Sequence, residues 1–257
     1  MEKWPLGVFT SIDAGFGVKL ETAHELGLST IQLHAPRSWL NSDFNDRTGG
    51  LNPPTRAGQN DSLEKTDRLM ELEREAVAFQ TGMSALGIAL TAVFGGFEGE
   101  SYADIPTVVR TVGLVPLETR ALRLRQMKSI ADFSHRFWQC NVVALHLGFV
   151  PHDPANPQYR EVVNFTRDLC DHCRANGQAL HLETGQEPAD VLLRFIQNVE
   201  RDNLFINFDP ANMIMYGVGE PIAALETLAP HVRSVHCKDA KWAAQPGQQW
   251  GREVPLG

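Results

Sequence analysis

The feature that most constrains this chain is a junction that repeats along it. A stretch of helical periodicity ends on a glycine and runs at once into a short apolar segment. Glu25-Leu26-Gly27 leads into residues 30–33, Ala85-Leu86-Gly87 into 88–94, and Ala175-Asn176-Gly177 into 178–182. Asn141 stands in the same relation to residues 142–147. Glycine and asparagine close helices because they tolerate the left-handed backbone that turns the chain out of the last turn. The apolar segments are residues 6–10, 30–33, 88–94, 142–147, 178–183, 204–209 and 232–236. Most are near-continuous apolar runs, the pattern of parallel strands covered by helices on their faces. Between them Leu69, Leu72, Ala76, Phe79, Met83 and Leu86 recur at helical spacing, with Asp61 and Glu64 placed as a capping box at the helix start. Leu124, Met127, Ile130, Phe133 and Phe137 predict another helix, and Tyr159, Val162, Leu169 and Cys173 a further one. Pro188 and Pro221 stand where first helical turns begin. Seven strands alternating with helices are an α/β fold, either a (β/α) barrel or a doubly wound sheet. No composition break divides residues 1–257, which read as a single domain, with a long Asn-, Pro- and Gly-rich loop over 38–56.

Composition narrows the function classes. With 23 basic and 31 acidic residues the net charge is −8, which argues against nucleic acid or an anionic membrane surface as the main partner. No apolar run is long enough to span a bilayer, and the N-terminus lacks the pattern of a signal peptide. The four cysteines do not form a disulfide framework for a chain of this size. A soluble cytoplasmic protein is expected.

The chemistry gathers at strand ends. His34 closes the second strand, His146 lies in the fourth, Glu183 ends the fifth, Asp209 the sixth and His236 the seventh. The last three are 26 and 27 residues apart, one strand–helix unit each. In a barrel such positions face one C-terminal mouth. Two carboxylates and an imidazole there suit Mn²⁺, Mg²⁺, Co²⁺ or Zn²⁺. His146 and His34 each read either as a substrate contact or as a hydrogen-bonded core histidine.

Three segments carry a resemblance: His181-Leu182-Glu183-Thr184-Gly185-Gln186-Glu187, Phe208-Asp209-Pro210-Ala211-Asn212-Met213 and Val235-His236-Cys237-Lys238-Asp239. In these, and in element order over nearly its whole length, the chain resembles the xylose isomerase-like TIM barrels, the sugar (phosphate) isomerases and epimerases. The resemblance implies a (β/α)8 barrel in which Glu183, Asp209 and His236 are three of four divalent-metal ligands. It further implies that Glu183 removes a proton from the carbon next to a carbonyl, with the metal stabilising the enediolate. The family's fourth ligand, a second Glu on strand eight, has no counterpart. Only 21 residues follow His236, with no periodic helix or apolar strand, so the last strand–helix unit is expected to be missing. Seven strands would leave an open seam, which favours a homo-oligomer. Asn212 stands where several ketose epimerases carry a substrate-contacting His, and an amide cannot titrate.

Other signals have plainer readings. Cys170-Asp171-His172-Cys173 falls late in a predicted helix, where a redox pair or zinc site is not expected, and reads as core. The Gly95–Glu100 stretch matches no nucleotide-binding fingerprint and reads as a flexible mouth loop. Trp39, Phe97, Phe149, Tyr216 and Trp242 fall in loops on the mouth side, placed to stack on a sugar or against a neighbouring subunit. The expected activity is metal-dependent isomerisation or epimerisation of a small sugar or hydroxy-ketone. Glu183 is base and ligand, Asp209 and His236 are ligands, and His146, Glu187, Asn212, Lys238 and His34 are candidate substrate contacts, Lys238 reading equally as a solvated loop lysine. Two alternatives stay open: an inosose-dehydratase-like lyase on the same metal, and a non-catalytic metal- or sugar-binding remnant. An endonuclease IV-like repair role fits the negative charge poorly.

Overall fold

The structure, a computed structural model, describes residues 4–12, 17–36 and 56–257, and for 56–66, 68 and 69 the backbone alone. The 38–56 loop and Trp39 fall outside the described residues, apart from Arg56 itself. The chain forms two compact units, one from the described residues up to Phe94 together with Gln126–Asn141, the other from Gly95–Arg125 and Val142–Gly257. Among the described residues no helix is long and apolar enough to cross a membrane.

In the first unit, strands β1 (Gly7–Ser11), β2 (Thr30–His34) and β3 (Ala89–Gly95) pair in parallel and in chain order, with Gly7 opposite Thr30 and Thr30 opposite Ala89. Ile31, Leu33, Val93 and Phe94 form its buried strand core. Helix α1 (Leu20–Glu25) ends at Gly27, which takes the left-handed conformation (φ 73°). Helix α2 (Arg56–Leu86) begins at Arg56, five residues before Asp61, so Asp61 lies inside the helix and is not its cap. That extra stretch, Arg56-Ala57-Gly58-Gln59-Asn60, holds no large apolar residue and so carries no apolar period by which to be read. The last part of helix α4 (Leu117–Trp138) packs on α2: Trp138 Nε1 donates to the Ala76 carbonyl at 3.0 Å, and its ring lies 5.7 Å from Phe79. That helix closes on Gln139 (φ 49°), two residues before Asn141.

In the second unit, β4 (Val142–Leu145), β5 (Ala179–Glu183), β6 (Leu204–Phe208) and β7 (Val232–Val235) are parallel neighbours in chain order. Helices α5 (Pro157–Ala175), α6 (Ala189–Val199), α7 (Pro210–Tyr216) and α8 (Pro221–Leu228) lie between or after them. Helix α5 buries Val162, Leu169, Cys170 and Cys173, so the two cysteines are core residues, and burial pushes the Cys170 thiol up to about 12. Burial of this kind disfavours the thiolate, the form that reacts. Helix α3 (Ile105–Thr111) follows the loop after β3, and that loop is pinned rather than free. Glu100 accepts from the amides of Phe97 (3.0 Å) and Gly113 (2.7 Å). Buried Arg123 donates to the carbonyls of Thr111, Gly113 and Glu98 and lies over the Phe97 ring.

The parallel strands among the described residues number seven. The last part of the chain adds what the apolar pattern does not reveal, a short antiparallel ribbon of β8 (Asp239–Lys241) and β9 (Arg252–Val254). It packs on α7 through Gly251, whose amide donates to the Met215 carbonyl at 2.9 Å, and through Trp250, whose ring meets Tyr216 edge-on at 4.6 Å. The close approach continues at Gly217, the left-handed cap of α7. A Cβ there would stand 2.1 Å from the Gly247 amide nitrogen, so only glycine fits.

Candidate metal centre

Glu183, Asp209 and His236 reach one place because each follows the same strand–turn geometry. Glu183 is the last residue of β5, Asp209 follows β6, and His236 follows β7, its amide donating to the Phe208 carbonyl at 2.9 Å. One ligand atom from each lies within 4.8 Å of the others. Asp209 is also the N-cap of α7: its Oδ1 accepts from the Asn212 amide at 2.9 Å, and Pro210 takes the first helical position. Thr184 locks the turn from the other side, with its hydroxyl accepting from the Asp209 amide (2.7 Å) and donating to the Asp209 carbonyl (3.0 Å). Gly185 (φ 144°) is obligatory here because a Cβ would meet the Asn212 Cβ at 2.6 Å.

Around Glu183 the hydrogen bonds are dense. Its Oε1 accepts from Asn212 Nδ2 at 3.0 Å and lies 3.1 Å from His236 Nδ1, while Oε2 lies 3.4 Å from His146 Nε2. Gln186 steadies the other side of His146, with Nε2 3.4 Å from His146 Nδ1 and 3.3 Å from the Tyr216 hydroxyl, to which it donates. Tyr102, carried by the loop pinned by Arg123, places its ring 5.8 Å from that of His146. Lys238 Nζ is 2.6 Å from Asp209 Oδ2, 3.4 Å from Asn212 Oδ1 and 4.0 Å from Glu183 Oε1.

Two carboxylates this close and this buried do not ionise independently. Burial opposes the charge on Glu183, but the His146 charge and the hydrogen bond and charge of His236 outweigh it and hold its carboxyl below the usual range. Burial and the Glu183 charge push Asp209 up to about 7, against the pull of Lys238. Asp209 Oδ2 is buried, and its near partner is the Lys238 ammonium at 2.6 Å. A buried carboxylate oxygen already paired with one cation, set beside a second carboxylate and an imidazole, is a donor set that fits a hard divalent cation.

The other expected residues are distributed as follows. His146, Asn212 and Lys238 border a cavity of about 480 Å³, whose wall also includes Tyr102, Met215, Tyr216 and the Trp250–Glu253 stretch. Glu187 is buried and turned to the backbone: its Oε1 accepts from the Val150 amide at 2.7 Å. His34 belongs to the first unit, where its Nδ1 lies 2.9 Å from the Ala35 carbonyl oxygen. His181 is a core histidine, its Nδ1 3.0 Å from Ser234 Oγ, with burial pushing its pKa down to about 4. Of the mouth aromatics, Tyr216 borders the cavity, with Phe149 edge-on to it at 5.6 Å, whereas Phe97 is buried under Arg123 and Trp242 is exposed. Gln186, Tyr102, Trp250, Arg252 and Glu253 were not predicted. Gln186 stands inside the Glu183 motif and was the one with a usable signal.

The family model of the xylose isomerase-like TIM barrel matches residues 20–257. The chain belongs to that family. The fold class expected from the sequence is therefore the right one. A crystal structure of a xylose isomerase domain protein from Planctomyces limnophilus is 51% identical, covering 99% of this chain and 81% of that one, with a TM-score of 0.83. A xylose isomerase-like TIM barrel protein from Mycobacterium smegmatis, solved with magnesium, shares the fold at 16% identity. It covers 98% of this chain and 81% of that one, with a TM-score of 0.57. A segment of 56 residues is 43% identical to the uncharacterized protein YihM of Escherichia coli, spanning 22% of this chain and 17% of YihM.

Proposed function

We propose that the second unit is a divalent-metal centre for proton transfer next to a carbonyl, acting on a small sugar or hydroxy-ketone as an isomerase or epimerase. The observation that carries this reading is the convergence of Glu183, Asp209 and His236 at three successive strand ends, beside a cavity of small-molecule size. The family membership and the magnesium held by the M. smegmatis relative support it. Glu183, Asp209 and His236 would hold the ion, which supplies Lewis-acid stabilisation of the charge that develops on the substrate oxygen.

The chain's own residues do the rest. Glu183 accepts the proton from the carbon next to the carbonyl, and the C–H electron pair moves toward the carbonyl oxygen to give the enediolate. Glu183 then delivers the proton to the neighbouring carbon while the hydroxyl proton passes between the two enediolate oxygens, which completes an isomerisation with one carboxylate. Epimerisation needs a second proton donor on the opposite face of the enediolate. Asn212 fixes the Glu183 carboxylate through Oε1, leaving the Oε2 side toward His146, which borders the cavity. The rings of Tyr102, Tyr216 and Trp250 supply apolar wall against which a sugar face stacks and from which water is excluded.

The test is deuterium uptake from D₂O into a panel of ketoses and inososes with Mn²⁺ present, followed by mass spectrometry. Wild-type protein is expected to exchange one carbon-bound hydrogen, and Glu183→Gln to lose at least about 100-fold of that rate. Exchange that persists in Glu183→Gln removes Glu183 as the base. Mn²⁺ binding without any exchange assigns a binding remnant, and loss of water from the product assigns the lyase.

A further inference from the structure

We propose that Lys238 is a built-in counter-ion of the metal-free centre, a cation that an incoming divalent ion must displace from Asp209. The inference rests on the metal-centre reading above and concerns what occupies the carboxylates beforehand. Lys238 Nζ stands 2.6 Å from Asp209 Oδ2 and 4.0 Å from Glu183 Oε1, so its charge sits against both carboxylates of the proposed ligand set. Two buried carboxylates repel each other, and while the His146 and His236 rings face Glu183, the group that brings positive charge closest to Asp209 is Lys238. The ammonium supplies that charge on the Asp209 side, and a third contact, 3.4 Å to Asn212 Oδ1, helps keep it in place.

The way it is held marks it as releasable. The ammonium is held by its 2.6 Å contact to Asp209 Oδ2 and a longer hydrogen bond to Asn212, both contacts that a divalent ion on Asp209 competes with. The Lys238 side chain is about a third exposed (32%), and it borders the cavity, so it has room to leave. A lysine suits this role better than an arginine, being a compact charge on a flexible stem with no planar fork to bind two carboxylate oxygens at once. Glu253 of β9 borders the same cavity and offers a carboxylate to the released ammonium. Loading the centre therefore moves a hydrogen-bond donor from the ligands to the cavity, where substrate oxygens are expected.

The test measures Mn²⁺ binding by calorimetry on the full chain and the thermal midpoint in chelator. Lys238→Met is expected to bind Mn²⁺ at least about tenfold tighter than wild type and to melt at a lower temperature when metal-free. Equal or weaker Mn²⁺ binding by the variant overturns the counter-ion role and leaves the metal centre standing. Absence of Mn²⁺ binding by both proteins overturns the metal centre and this inference together. A second measurement needs no variant: reductive methylation of wild-type protein, read by peptide mass spectrometry, is expected to label Lys238 faster with Mn²⁺ than with chelator. Labelling that is unchanged or slower with Mn²⁺ overturns the proposal.

Discussion

Glu187 is buried, and burial pushes its carboxyl up to about 8 against the pull of the Val150 amide that it accepts. In the unfolded chain the same group titrates near its ordinary value of 4.5. Between those two values the folded protein keeps a proton that the unfolded chain has lost. The stabilisation is full below pH ~4.5 and declines as pH rises toward 8, by at most ~1.4 kcal/mol per pH unit. Glu187→Gln keeps an acceptor for the Val150 amide but cannot lose a proton. The stability of wild type minus that of the variant, from urea titrations between pH 5 and 8.5, is therefore expected to fall as pH rises. A flat difference would show that Glu187 is ionised in the folded protein. At this scale the sequence disclosed the carboxylates and imidazoles because their spacing repeats with the strand–helix unit. It did not disclose Gln186 or Tyr102, whose roles follow from side-chain direction and from a loop pinned by Arg123, neither of which leaves a period in the chain.

Helix α7 joins two jobs in one side chain, since Asp209 is both its cap and a proposed ligand. Asparagine also caps helices, so Asp209→Asn and Asp209→Ala separate the two. Both are expected to weaken Mn²⁺ binding by at least about tenfold, but in chelator only the Ala variant loses the cap. Urea titration should place it about 1 kcal/mol below the Asn variant. Equal stabilities would show that the Asn212 amide bond contributes nothing to holding α7. All seven parallel strands were legible because most are near-continuous apolar runs at the spacing of one strand–helix unit, and Gly27, Gly87 and Gly177 do adopt the left-handed closure that announced three of them. Helix α7 was not, because seven residues are two turns and give no period. Nor was the β8–β9 ribbon, three residues a strand and largely polar. At the fourth junction the turn falls to Gln139 instead of Asn141, a side chain carrying the cost that glycine avoids.

Across the whole molecule, the proposed ligands belong to one of the two compact units. Binding to the folded form raises stability only where opening the structure also breaks the site. Hydrogen exchange with saturating Mn²⁺ is therefore expected to slow in β5, β6, β7 and α7, while β1, β2 and α1 keep their metal-free rates. Equal slowing in both units would show that they open together. The ribbon gives the molecule a different kind of latitude. Trp250, Arg252 and Glu253 shape the cavity from a segment outside the strand–helix repeats, held to α7 by backbone contacts at Gly217 and Gly251 that spare the ligand residues. Changes of side chain along that ribbon can recut the wall while the proposed centre keeps its frame, so a lineage, or a protein engineer, can reshape what the cavity admits by exchanging one hairpin.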